Sequence, residues 1–161
     1  MIREFRGKRP VVHPAAIIDS TALVMGNVVI EEGATIWPHA LLRADEARIV
    51  VKKNACILDK AFVEAPRNTI VGARTLISHG AIVHGSIIGN DVLVGMGAIV
   101  MEVEVGSKSM VAAGSVVREN VEPGVVVAGV PAKKIRDVSE DDMKMLEKMR
   151  GELAEKAAYL K

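Results

Sequence analysis

The stretch ISHGAIVHGSIIGNDVLVGMGAIV, Ile77 to Val100, sets an aliphatic residue at Ile77, Val83, Ile88, Val94 and Val100, in steps of six, five, six and six. One amphipathic helix would need a period of 3.6, whereas six divides by two, as strands require. The same beat runs outward from this stretch in both directions. Toward the N-terminus Ile18 goes with Ala22, Val24 with Val28, Ile30 with Ala34 and Ile36 with Ala40. After an irregular passage from Asp45 to Val50 the phase returns at Val51 with Ala55, Ile57 with Ala61, and Val63. A second break, Pro66 to Ile70, leads to Val71. Toward the C-terminus a five-residue step from Val100 to Val105 precedes Ser109, Val111, Ser115 and Val117. A repeat of this length cannot bury its apolar side alone, so stacked coils must share one core. Short hairpins in a sandwich would instead need turn dipeptides at wider spacing, and these are not evident. The fold expected is an all-β solenoid of hexapeptide repeats.

Composition agrees with that reading. The chain of 161 residues is 50% hydrophobic but only 2% aromatic, so Val, Ile, Leu and Ala must fill the core. A formal net charge of +1 calls for neither a nucleic acid nor a membrane as partner. The opening MIREFRGKRP lacks the apolar centre of a secretory signal, and no uninterrupted apolar run approaches the roughly 20 residues that span a bilayer. A cytoplasmic location is therefore expected. The single cysteine, Cys56, cannot form an internal disulfide and suits buried packing.

The period ends near the C-terminus. EPGVVVAGVPAKKIRD turns the chain with Pro123, Gly124 and Pro131, and SEDDMKMLEKMRGELAEKAAYLK then takes up a helical pattern. Ser139 can cap this helix, acidic residues occupy its first turn, and Met143, Leu146, Met149, Leu153, Ala157 and Leu160 form an apolar stripe. The expected division is residues 1–136 as the solenoid with its lead-in and closing segments, and 137–161 as a C-terminal α-helix packed on it.

The segments IWPHALLRAD, ISHGAIVHGSIIGNDVLVGMGAIV, VAAGSVV and AGVPAKKIR carry a resemblance that covers nearly the whole chain. It resembles the hexapeptide-repeat, left-handed parallel β-helix proteins, and within them the gamma-class carbonic anhydrase family. The LRAD segment and the HGAIVHG pair are its more specific parts; the hexapeptide pattern alone is shared with many acyltransferases. The resemblance implies three hexapeptides per triangular coil, a homotrimer, and a divalent metal at each subunit interface. It also implies reversible hydration of carbon dioxide by a metal-bound hydroxide, a lyase activity with carbon dioxide or bicarbonate as the small-molecule substrate.

Three steps per coil stack Leu42, Val63 and Val83, so that Arg43, Glu64 and His84 form one column, with neighbours about 4.8 Å apart. Ile36, Ile57 and Ile77 stack likewise, and Pro38, Asp59 and His79 form a second column at another corner. A shared metal would need His84 and Glu64 from one subunit with His79 from the next, as a threefold interface supplies. The resembled proteins have a histidine where this chain has Glu64, and a glutamine where it has Leu58. Two histidines with one carboxylate are a recognised ligand set for catalytic zinc and also suit non-haem iron. The alternative is that Glu64 only pairs with Arg43 one coil below. Arg43, Asp45 and Asp59 match the family and are, with Glu64, the candidate catalytic residues; an interface ion pair is the other role open to the arginine and the aspartate.

A carboxylate ligand raises the pKa of a bound water, and leucine offers no hydrogen bond, so hydration is expected to be weak. A hexapeptide acyltransferase using a coenzyme A thioester is the alternative enzyme, and a non-catalytic metal-binding or assembly trimer the third reading. His13 and His39 lie away from both columns and are not expected to bind metal. The segment Gly95, Met96, Gly97 is repeat structure, since no strand-to-helix transition follows it. Lys108, Lys133, Lys134 and Arg136 read as solvated surface.

Overall fold

In the computed structural model, which describes residues 1–160, the hexapeptide beat becomes a parallel β-solenoid of triangular section. The stacking read from the sequence is the observed register. Leu42 pairs with Val63 and Val63 with Val83, while Ile36, Ile57, Ile77 and Val94 form one ladder. Inward residues alternate with outward ones in Leu23–Ile30, where every second residue is buried. The inner core holds Val24, Ile30, Ile36, Leu42, Ile57, Val63, Ile77 and Val83, all at 0–1% exposure, with alanines such as Ala22, Ala40, Ala61 and Ala81 at the corners. The narrow prism has room for branched aliphatics along its faces and little more than a methyl group where faces meet. No ring enters it. Each fully buried Val, Leu or Ile contributes about 1.5–3 kcal/mol.

Where a corner carries a hydroxyl instead of a methyl, the backbone satisfies it. Thr75 Oγ1 donates to the Gly89 carbonyl at 2.6 Å and accepts from Val92 N–H at 3.1 Å. Ser109 Oγ donates to the Glu122 carbonyl at 2.7 Å.

The irregular passage from Asp45 to Val50 has a structural cause. Leu41–Val51 is one continuous strand paired with Leu23–Ile30, and the two run through a corner that the other coils break with a turn. They thereby join two faces into one eleven-stranded sheet, and the third face is an eight-stranded sheet. The register slips between Gly26 and Val28, where Gly26 takes φ +83°. A Cβ there would stand 2.1 Å from the Ala44 carbonyl oxygen, so only glycine fits.

Val125–Gly129 and Ala132–Asp137 close the solenoid as an antiparallel hairpin. Helix α1, Glu140–Ala157, follows, with a capping box between Ser139 and Asp142. Leu146 is fully buried in an apolar cluster with Cys56, Leu58, Leu76, Met110 and Val126, so α1 covers the outer side of the eight-stranded sheet. Arg150 fixes it there, donating to the Arg74 carbonyl at 3.1 Å and to Asp91 Oδ1 at 3.0 Å. The helix ends at Ala157, so Leu160 falls beyond it and does not extend the apolar stripe, and residue 161 lies outside the described residues. Burial pushes the Cys56 thiol pKa up, which keeps it protonated and inert. Among the described residues no helix is long and apolar enough to cross a membrane.

Candidate functional site

The strands Phe62–Glu64, Ile82–His84 and Ile99–Met101 lie side by side on one face of the prism, and the two histidines mark its opposite edges. His79 sits in the turn that enters the face, beside Gly80 at φ +65°. His84 ends the strand that leaves it, before Gly85 at φ +56°. Backbone bonds lock both edges from coil to coil: Gly80 N–H donates to Asp59 O at 2.9 Å, and Gly85 N–H donates to Glu64 O at 3.0 Å.

At the first edge Asp59 Oδ2 is 3.0 Å from His79 Nδ1. The His79 side chain is half exposed, and its other nitrogen has no partner among the described residues. Beside it a cleft of about 180 Å³ is lined by Leu58, Ser78, Met96 and Met149, with Glu152 and Lys156 of α1.

At the second edge Arg43 pairs in register with Glu64, and Glu64 with His84. Glu64 Oε1 accepts a hydrogen bond from Arg43 Nη2, and its Oε2 stands 3.1 Å from His84 Nδ1. This bond raises the Arg43 pKa above its ordinary value. Asp45 Oδ2 lies 3.4 Å from Arg43 Nε, which makes no hydrogen bond of its own, and the guanidinium rests over the Phe62 ring. Glu64 pairs with Arg43 one coil below. It touches His84 at the same time.

His79 and His84 are not brought together within one chain, and among the described residues no three His, Cys, Asp or Glu side chains of one chain converge as a metal cage. His13 is exposed and accepts the Ala15 N–H at 3.1 Å. His39 is likewise exposed, in a turn with φ +58°. Gly95, Met96 and Gly97 form a turn of the solenoid. Leu58 is 2% exposed, at the floor of the cleft and in the apolar cluster beneath α1.

Glu102 is the residue that sequence reading missed. Its Oε1 is 3.7 Å from His84 Nε2, the nitrogen facing away from Glu64. It falls inside the five-residue step from Val100 to Val105, where the six-residue count lapses. Extending the column by register, from His84 to Met101, would have located it one position on.

Between the histidine edges the face is apolar. Leu23, Leu41, Phe62, Ile82, Ile99 and Val116 stand in one register-matched ladder, each half-buried and none covered by α1.

A hexapeptide transferase family protein from Anaplasma phagocytophilum superposes on the chain with a TM-score of 0.94, at 32% identity over 98% of this chain and 96% of that one. The chain belongs to the hexapeptide-repeat family of left-handed β-helix proteins. Another member of the hexapeptide-repeat fold, a candidate acetyltransferase from Bacillus cereus, has a TM-score of 0.95 at 27% identity, covering 99% of this chain and 95% of that one. The carnitine operon protein CaiE of Escherichia coli is 41% identical over 83 residues, which are 50% of this chain and 42% of CaiE. The match thus spans less than half the length of that relative. No protein-family model matches the chain.

Proposed function

We propose that this hexapeptide-repeat protein works as a homotrimer of the gamma carbonic anhydrase type, with a divalent metal between His79 of one subunit and His84 of the next. The observation that carries this reading is the common setting of the two imidazoles. Each has Nδ1 at 3.0–3.1 Å from a carboxylate one coil below, a hydrogen bond between His84 and Glu64 and a close polar contact between His79 and Asp59. Metal-binding histidines are held in this way, since the carboxylate fixes the tautomer and raises the basicity of the free nitrogen. Two imidazoles completed by a carboxylate fit zinc, with iron as the alternative. A divalent ion held there would supply Lewis acidity, lowering the pKa of a water toward neutrality, which is the chemistry that carbon dioxide hydration needs.

The chain's own residues supply the rest. Asp59 and Glu64 orient the imidazoles, Arg43 balances the charge of Glu64, and Asp45 stands behind Arg43. The apolar ladder Leu23, Leu41, Phe62, Ile82, Ile99 and Val116 supports the trimer, because a surface of this kind between two histidine edges is stabilised by burial against another copy. Hydration should be weak, since Glu64 replaces an imidazole of the resembled site and Leu58 can neither donate nor accept a hydrogen bond.

One observation favours acyl transfer as a second reading. His79, with Asp59 3.0 Å away and beside a cleft, has the form of a general base that could take the proton of an amine or hydroxyl acceptor as it attacks a coenzyme A thioester, and return it to the thiolate released when the C–S bond breaks. The family likeness to transferases points the same way. The deciding experiment measures zinc stoichiometry, carbon dioxide hydration and acetyl-coenzyme A consumption on the native protein, His79→Ala and His84→Ala. Zinc bound by the native protein and lost in both variants supports the metal site. Thioester turnover abolished by His79→Ala, with no metal requirement, supports acyl transfer instead. Zinc binding with neither activity leaves a non-catalytic metal-binding trimer.

A further inference from the structure

Resting on the metal reading above, we infer that Glu102, and not Glu64, supplies the carboxylate ligand of the site, while Glu64 serves as a positioning residue for His84.

Three observations assign these roles. First, Glu64 is already engaged at both oxygens, Oε1 by the Arg43 guanidinium and Oε2 by His84 Nδ1. A ligand must present a free lone pair toward the ion, and Glu64 would have to give up one of these partners to do so. Second, the two carboxylates flank His84 on opposite ring nitrogens at different distances. Glu64 is at 3.1 Å, a hydrogen-bond length, and Glu102 at 3.7 Å, which is too long for one. Two donors on one tetrahedral zinc are separated by roughly 3.3–3.5 Å, given bonds of about 2.0–2.2 Å. Glu102 and His84 Nε2 are close to that spacing as they stand.

Third, the backbone carries Glu102 to this position and keeps its carboxylate available. Glu102 N–H donates to the His84 carbonyl at 2.8 Å, and the side-chain stem lies against Gly85, where an added Cβ would be 3.4 Å from Glu102 Cγ. No lysine or arginine among the described residues pairs with it, and its side chain is 58% exposed. Its carboxylate therefore faces the open side of the imidazole without a competing cation. The set becomes His84 and Glu102 from one subunit with His79 from its neighbour, and Arg43–Glu64 acts as a support behind His84.

The test is zinc affinity, measured by competition with a chromophoric chelator, on the native protein in its solution assembly, Glu102→Gln, Glu64→Gln and His84→Ala, with the His84 ring nitrogens followed by NMR. Glu102→Gln keeps the side-chain shape at an exposed position, so folding is unaffected. Stoichiometric zinc should be lost in Glu102→Gln, with affinity down more than about 100-fold. Glu64→Gln should still bind, weakened by about 10–100-fold as expected for an outer-shell partner, and should change the His84 tautomer. Full zinc retention in Glu102→Gln with loss in Glu64→Gln would overturn the assignment and make Glu64 the ligand. Zinc binding indifferent to His84→Ala would overturn the metal reading itself, a separate result.

Discussion

Asp59 lies one coil below His79, with Oδ2 3.0 Å from the histidine's Nδ1, a contact between residues 20 apart in the chain. The aspartate stands on the Nδ1 side of the ring, the place that carboxylates take behind metal-binding histidines. Asp59→Ala should leave the solenoid folded, because the side chain is 37% exposed, and lower zinc affinity by about 10–100-fold. Chelator competition alongside circular dichroism checks both halves of that statement.

Ile82 is at the middle of the apolar ladder between the histidine edges. Ile82→Arg sets a charge on the surface proposed to meet another copy, and its inward neighbours Ala81 and Val83 are untouched. Sedimentation should find a trimer for the native protein and a monomer for the variant. A native monomer would contradict the proposed assembly.

Leu58 stands where the resembled enzymes carry a glutamine, but here it is packed under α1 with Leu146. Leu58→Gln would bury an amide among aliphatic side chains. A loss of about 1–3 kcal/mol is expected in urea denaturation. The leucine is thus tied to the helix that covers this face.

Asp91 receives Arg74, the main cause of its lowered pKa, and also Arg150 from α1. A carboxylate depressed in the folded state stabilises above its unfolded value of about 3.9, and that contribution is lost as pH falls through the folded value. Asp91→Asn should therefore cost about 1–2 kcal/mol at pH 7 and flatten the loss of stability below about pH 4. Thermal melts between pH 2 and 7 measure it.

Gly26→Ala should be the most damaging single-methyl addition in the first coils. It combines φ +83° with a Cβ aimed at the Ala44 carbonyl oxygen, and about 2 kcal/mol or more should be lost. A shift of the urea midpoint with little change in slope would confirm a local backbone cost.

Much of the architecture was legible in the chain because a solenoid's contacts are periodic. Once the step of six is found and the family resemblance supplies three steps per coil, counting gives which residues stack, and the columns Arg43–Glu64–His84 and Asp59–His79 are the observed register. The helix was legible too, through Ser139 and its 3.6-residue stripe, since capping and amphipathicity are local. What counting could not supply was the direction and competition of side chains. Only the folded coordinates put both oxygens of Glu64 on partners, Leu58 beneath α1, and Glu102 beside the open nitrogen of His84. The five-residue step at Val100–Val105 hid Glu102 from a count of six. Stacking is a property of backbone register, which repeats; which carboxylate answers which nitrogen depends on rotamers and on the nearest cation, and these are decided coil by coil in three dimensions.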